Sequence, residues 1–138
     1  MIDLRGLTTV TFWADDVVEA ARWYAEVLGV EPYFVRPEPP APPAYVEFRI
    51  GDSADELGIV DRRWAPAAAT SGPGGAVAYW HVADVRATYA ELLDLGATPY
   101  EEPTDRESGW VTASVVDPFG NVLGLMHSPH YLEILART

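Results

Sequence analysis

The sequence predicts an α+β protein made of two βαβββ modules, and three observations carry that reading. First, the chain repeats itself. TVTFWADDVVEAARWYAEVLGVEPY, residues 9–33, returns as VAYWHVADVRATYAELLDLGATPY, residues 77–100. Asp16-Val17 matches Asp84-Val85 after 68 positions, and Leu28-Gly29 matches Leu95-Gly96 after 67. Pro32-Tyr33 matches Pro99-Tyr100 after 67, and Leu57-Gly58 matches Leu123-Gly124 after 66. Second, each copy opens on a segment of period 2 and passes into one of helical period. Third, each copy continues into three short strand-forming runs.

The elements follow in order. Thr9–Ala14 alternates small-polar with bulky side chains, as a strand does. Asp16 is placed to N-cap a helix, with Glu19 three residues on to complete a capping box. Ala20, Trp23, Tyr24, Val27 and Leu28 recur at helical spacing, which makes Trp23 and Tyr24 core residues. Gly29 falls where a left-handed C-cap belongs. Strands are expected at Tyr33–Arg36, Tyr45–Ile50 and Leu57–Val60. RPEPPAPPA, residues 36–44, has five prolines in nine residues, so it cannot pair as a strand and reads as an extended, polyproline-like loop. APAAATSGPGG, residues 65–75, reads as a linker. Asp84, Val85, Tyr89, Leu92 and Gly96 repeat the helix design. The second set of strands is expected near Pro99–Glu102, Trp110–Val116 and Val122–His127. In DPFGN, Asp117-Pro118 opens a turn and Gly120-Asn121 supplies its positive-φ corner. The expected organisation is one domain over 1–138, with modules at 7–64 and 76–127, the linker between them and an extension at 128–138.

Composition narrows the function. The chain has 138 residues, no cysteine and a formal net charge of −12. All nine basic residues are arginine. Without cysteine there are no disulfides, thiolate metal sites or cysteine nucleophiles. No secretory leader and no run of about 18 apolar residues is visible, so the expectation is a cytoplasmic protein away from membranes. The acidity repels nucleic-acid phosphates and anionic lipid surfaces. SGPGG lacks the Lys-Ser/Thr of a phosphate loop, and no Gly-x-Ser-x-Gly elbow occurs.

ADDVVEAARWYAEVLG, HVADVRATYAELLDLG and DPFGNVLGL, set in this doubled frame, resemble the vicinal oxygen chelate superfamily. That superfamily includes glyoxalase I, extradiol dioxygenases, fosfomycin-resistance enzymes and bleomycin-resistance proteins. The resemblance spans about residues 7–127. It implies the glyoxalase/bleomycin-resistance fold, in which each module's mixed sheet curls into a half-barrel and the pair encloses a cup. It does not imply one chemistry, because a scaffold can host many. Metal-dependent relatives take ligands from the first and last strand of each module. Carried over, those positions are Thr9, Val77, Gly58 and Gly124. A divalent ion needs imidazole, carboxylate or thiolate donors, and none of the four supplies one. The expectation is no metal and no cofactor.

Strand alternation then nominates the lining of the cup. In the first module it is Thr9, Thr11, Trp13, Tyr45, Glu47, Arg49, Gly58 and Val60. In the second it is Val77, Tyr79, His81, Trp110, Thr112, Ser114, Gly124 and Met126. The set is ring-rich with a few polar groups, which suits a planar organic ligand. Gly58 and Gly124 either clear space for a ring against backbone or ease strand curvature and close packing. His81 and Glu47 are the candidate acid–base pair, against a structural histidine at a strand end. His127 is expected to face away from Met126, and neither it nor His130 pairs with another histidine at metal-ligand spacing. The preferred function is a metal-free protein that binds an aromatic, cationic small molecule as a homodimer. The alternative is an enzyme, a lyase, isomerase or dioxygenase, using His81 with Glu47 or a displaced metal site.

Overall fold

The computed structural model describes residues 1–69 and 72–138, and the chain divides into two units, Met1–Ala69 and Thr70–Thr138. The expected linker 65–75 straddles that division, and its Thr70 and Ser71 lie outside the described residues.

In the first unit, β1 (Thr9–Ala14) leads into α1 (Val17–Leu28), followed by β2 (Phe34–Arg36), β3 (Tyr45–Ile50) and β4 (Asp55–Asp61). The sheet order is β1-β4-β3-β2, with β1 and β4 parallel and the other pairs antiparallel. Alternation sends Phe12, Ala14, Val46, Phe48, Leu57 and Ile59 to one face, where all are buried. Helix α1 covers that face with Val17, Ala20 and Tyr24, and the Phe12 and Tyr24 rings meet at 6.0 Å. Full burial of a side chain such as Phe48 contributes roughly 1.5–3 kcal/mol. The Asp16 side chain accepts the Glu19 backbone N–H at 3.1 Å, while the Glu19 carboxylate binds Arg22, so only the Asp16 half of the capping box forms. Gly29, at φ 70°, closes the helix by donating to Ala25 O.

The second unit repeats the plan. Its elements are β5 (Tyr79–His81), α2 (Val85–Asp94), β6 (Thr98–Asp105), β7 (Val111–Val116) and β8 (Val122–His127), with the tail forming α3 (Pro129–Ala136). The order is β5-β8-β7-β6, again with one parallel pair. Val85 and Leu92 of α2 are buried together with Ala113, Val115, Leu123 and Leu125 of the sheet. The Asp84 side chain caps α2 through the Ala87 N–H at 3.0 Å. At the β7–β8 turn the buried Asp117 carboxylate accepts the N–H groups of Phe119 and Asn121 at 2.9 and 2.8 Å, and Gly120 supplies φ 94°.

Three expectations are amended. The proline-rich loop is not extended throughout: Ala41 donates to Glu38 O and Ala44 to Arg36 O, which folds the segment back as the β2–β3 connection. Strand β6 runs past Glu102 to Asp105, with register shifts between Pro99 and Glu101 and between Glu101 and Thr104. Pro99 and Pro103 lack the N–H that an unbroken ladder needs. The first strand of the second module begins at Tyr79, although Ala78 O still accepts the Gly124 N–H at 3.1 Å. No helix among the described residues is long and apolar enough to cross a membrane.

Candidate functional site on the open sheet faces

The face of each sheet opposite its helix carries the nominated residues. In the first unit, registry aligns Thr9, Glu56 and Arg49 in one row. The next row is Thr11, Gly58, Glu47 and Phe34, and the third is Trp13, Val60, Tyr45 and Arg36. All eight first-module nominees therefore share one face. Registry adds Glu56 and Phe34, which sequence reasoning did not single out. Glu56 lies two residues before Gly58, and period-2 spacing was the available signal for it.

A polar cluster occupies this face. The Tyr45 hydroxyl donates to the Glu47 carboxylate. Thr9 Oγ1 donates to Glu56 Oε2 at 2.9 Å, and Arg49 pairs with Glu56 at 3.4 Å. The Phe34 and Tyr45 rings meet edge-on at 6.1 Å. Burial raises the Glu47 carboxyl above its ordinary range, the neighbouring Glu56 charge adds to this, and Arg49 opposes it. Burial also raises the Tyr45 hydroxyl, again with a contribution from Glu56.

The two glycines have different reasons to be there. A Cβ on Gly58 would lie 2.7 Å from the Tyr45 hydroxyl oxygen and 2.9 Å from Cε1, so the ring lying against this backbone is the chain's own tyrosine. A Cβ on Gly124 would lie 2.7 Å from the carbonyl oxygen of Ala78, 2.8 Å from Tyr79 and 2.9 Å from Val77. There the reason is close approach of the segment that leads into the paired strand β5.

In the second unit, Tyr79, Gly124, Ser114 and Glu101 form one row, and His81, Met126, Thr112 and Thr104 the next. Thr112 and Ser114 are buried. Trp110 precedes β7 on the same side by alternation, and Val77 precedes β5. Arg106, which sequence reasoning passed over, donates from Nε to Thr112 Oγ1 at 3.0 Å and from Nη2 to Glu101 Oε1 at 2.7 Å.

His81 has structural work in its own unit. Its Nδ1 accepts the Ser128 N–H at 3.1 Å, which places the proton of the neutral ring on Nε2. The ring stacks on Tyr131 of α3 at 4.7 Å and 12°. It also lies 5.2 Å from the His127 ring, a tilted ring contact. A bond between His127 Nδ1 and Val82 O orients that ring. His81 and Glu47 belong to different units, and each has partners within its own.

The residues at the family's metal positions do not fit a divalent ion. Thr9 is hydrogen-bonded to Glu56, the space over Gly58 holds Tyr45, and the space over Gly124 is closed by main chain. Among the described residues no three His, Cys, Asp or Glu side chains gather as a metal-binding group.

A mixed four-stranded sheet with one covering helix, made twice in one chain, defines the class of paired βαβββ proteins. The family model for the Glyoxalase/Bleomycin resistance protein/Dioxygenase superfamily matches residues 6–125, and the chain belongs to that superfamily. No match was found among curated proteins. Solved structures resemble the fold. One is a glyoxalase-related enzyme from Fulvimarina pelagi, with 21% identity, 91% of this chain and 90% of that chain covered, and a TM-score of 0.69. Another is a member of the same superfamily from Sphaerobacter thermophilus, with 19% identity, 91% and 98% covered, and a TM-score of 0.69. A third is TioX from Micromonospora sp. ML1, with 15% identity, 88% and 98% covered, and a TM-score of 0.65.

Proposed function

We propose that this chain is a metal-free small-molecule-binding protein that takes a planar aromatic cation on the open face of its first sheet, working as a cytoplasmic homodimer. The observation that carries the reading is the Tyr45–Glu47–Glu56 cluster beside Phe34 and Trp13. A carboxyl held above its ordinary range next to a second carboxylate gains from a cation that relieves both burial and repulsion. Flanking rings add stacking and cation–π attraction. The bond from Ser128 to His81 favours binding over acid–base catalysis, since it commits the ring's lone pair to holding the tail.

Titration of the protein with an acridinium dye, read by tryptophan quenching, tests this. Saturable quenching is expected, weakened about tenfold in Glu47→Gln by loss of a charge-assisted contact. Affinity falls on acidification, because protonating Glu47 removes the charge the cation meets. Quenching that neither saturates nor responds to Glu47→Gln overturns the reading, and light scattering tests the dimer.

A further inference from the structure

We propose that the open face of the second sheet by itself receives an aromatic oxyanion, a carboxylate or phosphate on an aromatic skeleton, with Arg106 as the recognising residue and Trp110 as the ring platform. The proposal rests on the small-molecule reading above and concerns the second unit alone.

Four observations converge on it. Arginine has five N–H donors, and Arg106 commits one to Thr112 and one to Glu101, leaving three. The two bonds come from different nitrogens, so the guanidinium plane is held in place before a ligand arrives. Glu101 is the registry partner of Ser114, and Thr112 lies two residues from Ser114 on the same face. The guanidinium is thus bonded to Thr112, one row from Ser114, and these two small hydroxyl residues are 8% and 1% exposed. The Arg106 N–H donates to Trp110 O at 2.7 Å, which makes the two residues cross-strand neighbours at the β6–β7 turn. An oxyanion on the free donors can therefore carry a ring toward the indole.

Charge argues that the contact is local. At a net charge of −12 the chain repels small anions at long range, so anion affinity must come from short, charge-assisted hydrogen bonds. A half-exposed Arg106–Glu101 pair would by itself add little to stability.

The test is nitrogen–proton NMR of the full chain, following the Trp110 indole N–H and the Arg106 Nε–H. Benzoate, phenyl phosphate and neutral benzamide are titrated separately, and the two anions tell carboxylate from phosphate preference. At least one anion is expected to shift both signals, with benzamide about tenfold weaker or worse. Arg106→Gln is expected to lower that anion's affinity about tenfold while leaving acridinium binding unchanged. Glu101→Gln keeps the arginine and removes its competing carboxylate, so it is expected to tighten anion binding. Equal shifts by benzamide and the anions overturn the proposal, as does unchanged anion affinity in both variants. If the dye binds and neither anion does, this proposal fails alone. If an anion binds through Arg106 and the dye does not, the cationic reading of the first sheet fails and this one stands.

Discussion

Two glycines at matched places in the repeat answer to different neighbours, and single methyl groups tell them apart. In Gly124→Ala the new Cβ meets the Ala78 carbonyl at 2.7 Å, and backbone must move. The expected loss is about 1–3 kcal/mol in urea unfolding. In Gly58→Ala the obstacle is the outer end of the Tyr45 side chain, which can swing away. The expected loss there is under about 1.5 kcal/mol, with the Tyr45–Glu47 bond broken. Equal losses would refute the distinction. Glu47 carries a pH signature. Its carboxyl is raised above the 4.5 of a free glutamate, so the native state holds the proton more tightly than the unfolded chain. Ionising it therefore lowers stability as pH rises from that value through its folded one. Glu47→Gln removes this slope and keeps an acceptor for Tyr45, so unfolding at about pH 4 to about pH 8 is expected to show a flatter profile. An unchanged profile would place the effect elsewhere.

At the scale of the element, the β7–β8 turn rests on one buried carboxylate. Asp117 accepts two backbone N–H groups and the Asn121 side-chain amide. Asp117→Ala is expected to cost about 2–3 kcal/mol by calorimetry, since donors lose a charged acceptor in a buried place. Helix α3 is held more lightly, for none of its residues is buried. It is tied to its unit by the Ser128 N–H on His81 and the Tyr131 ring stacked over it. In His81→Leu the Ser128 amide is expected to exchange faster with solvent while β8 amides keep their protection. Strands and helices were legible in the sequence because alternation and caps are local: Asp16, Gly29, Asp84 and the Val122–His127 strand all fall where the pattern puts them. The course of β6 was not, because its register shifts on β7 fall on either side of Glu101 and are set by the pairing of the two strands. Arg106 was missed for a related reason, as its partners Glu101 and Thr112 meet only after the hairpin closes.

Over the whole molecule, acidity acts against compactness. Twenty-one acidic residues against nine basic ones repel one another in the folded state. Raising salt from about 0.05 M to about 0.5 M is expected to raise the Tm by screening that repulsion. A falling Tm would mean that ion pairs such as Arg49–Glu56 and Arg62–Asp15 outweigh it. Family and fold could be read from the repeat and from DPFGNVLGL, whereas the site could be read only in part. Alternation put the eight first-module residues on one face of the first sheet, but Glu56 and Phe34 join that face through registry with other strands. The repeat also has an engineering consequence. Its two halves share a plan but not a capacity for change. A designer seeking to install a new donor can replace Gly58 and trim Tyr45 to make room. At Gly124 the same edit would have to move a strand, so chemistry grafted onto this scaffold has one entrance, in the first half of the chain.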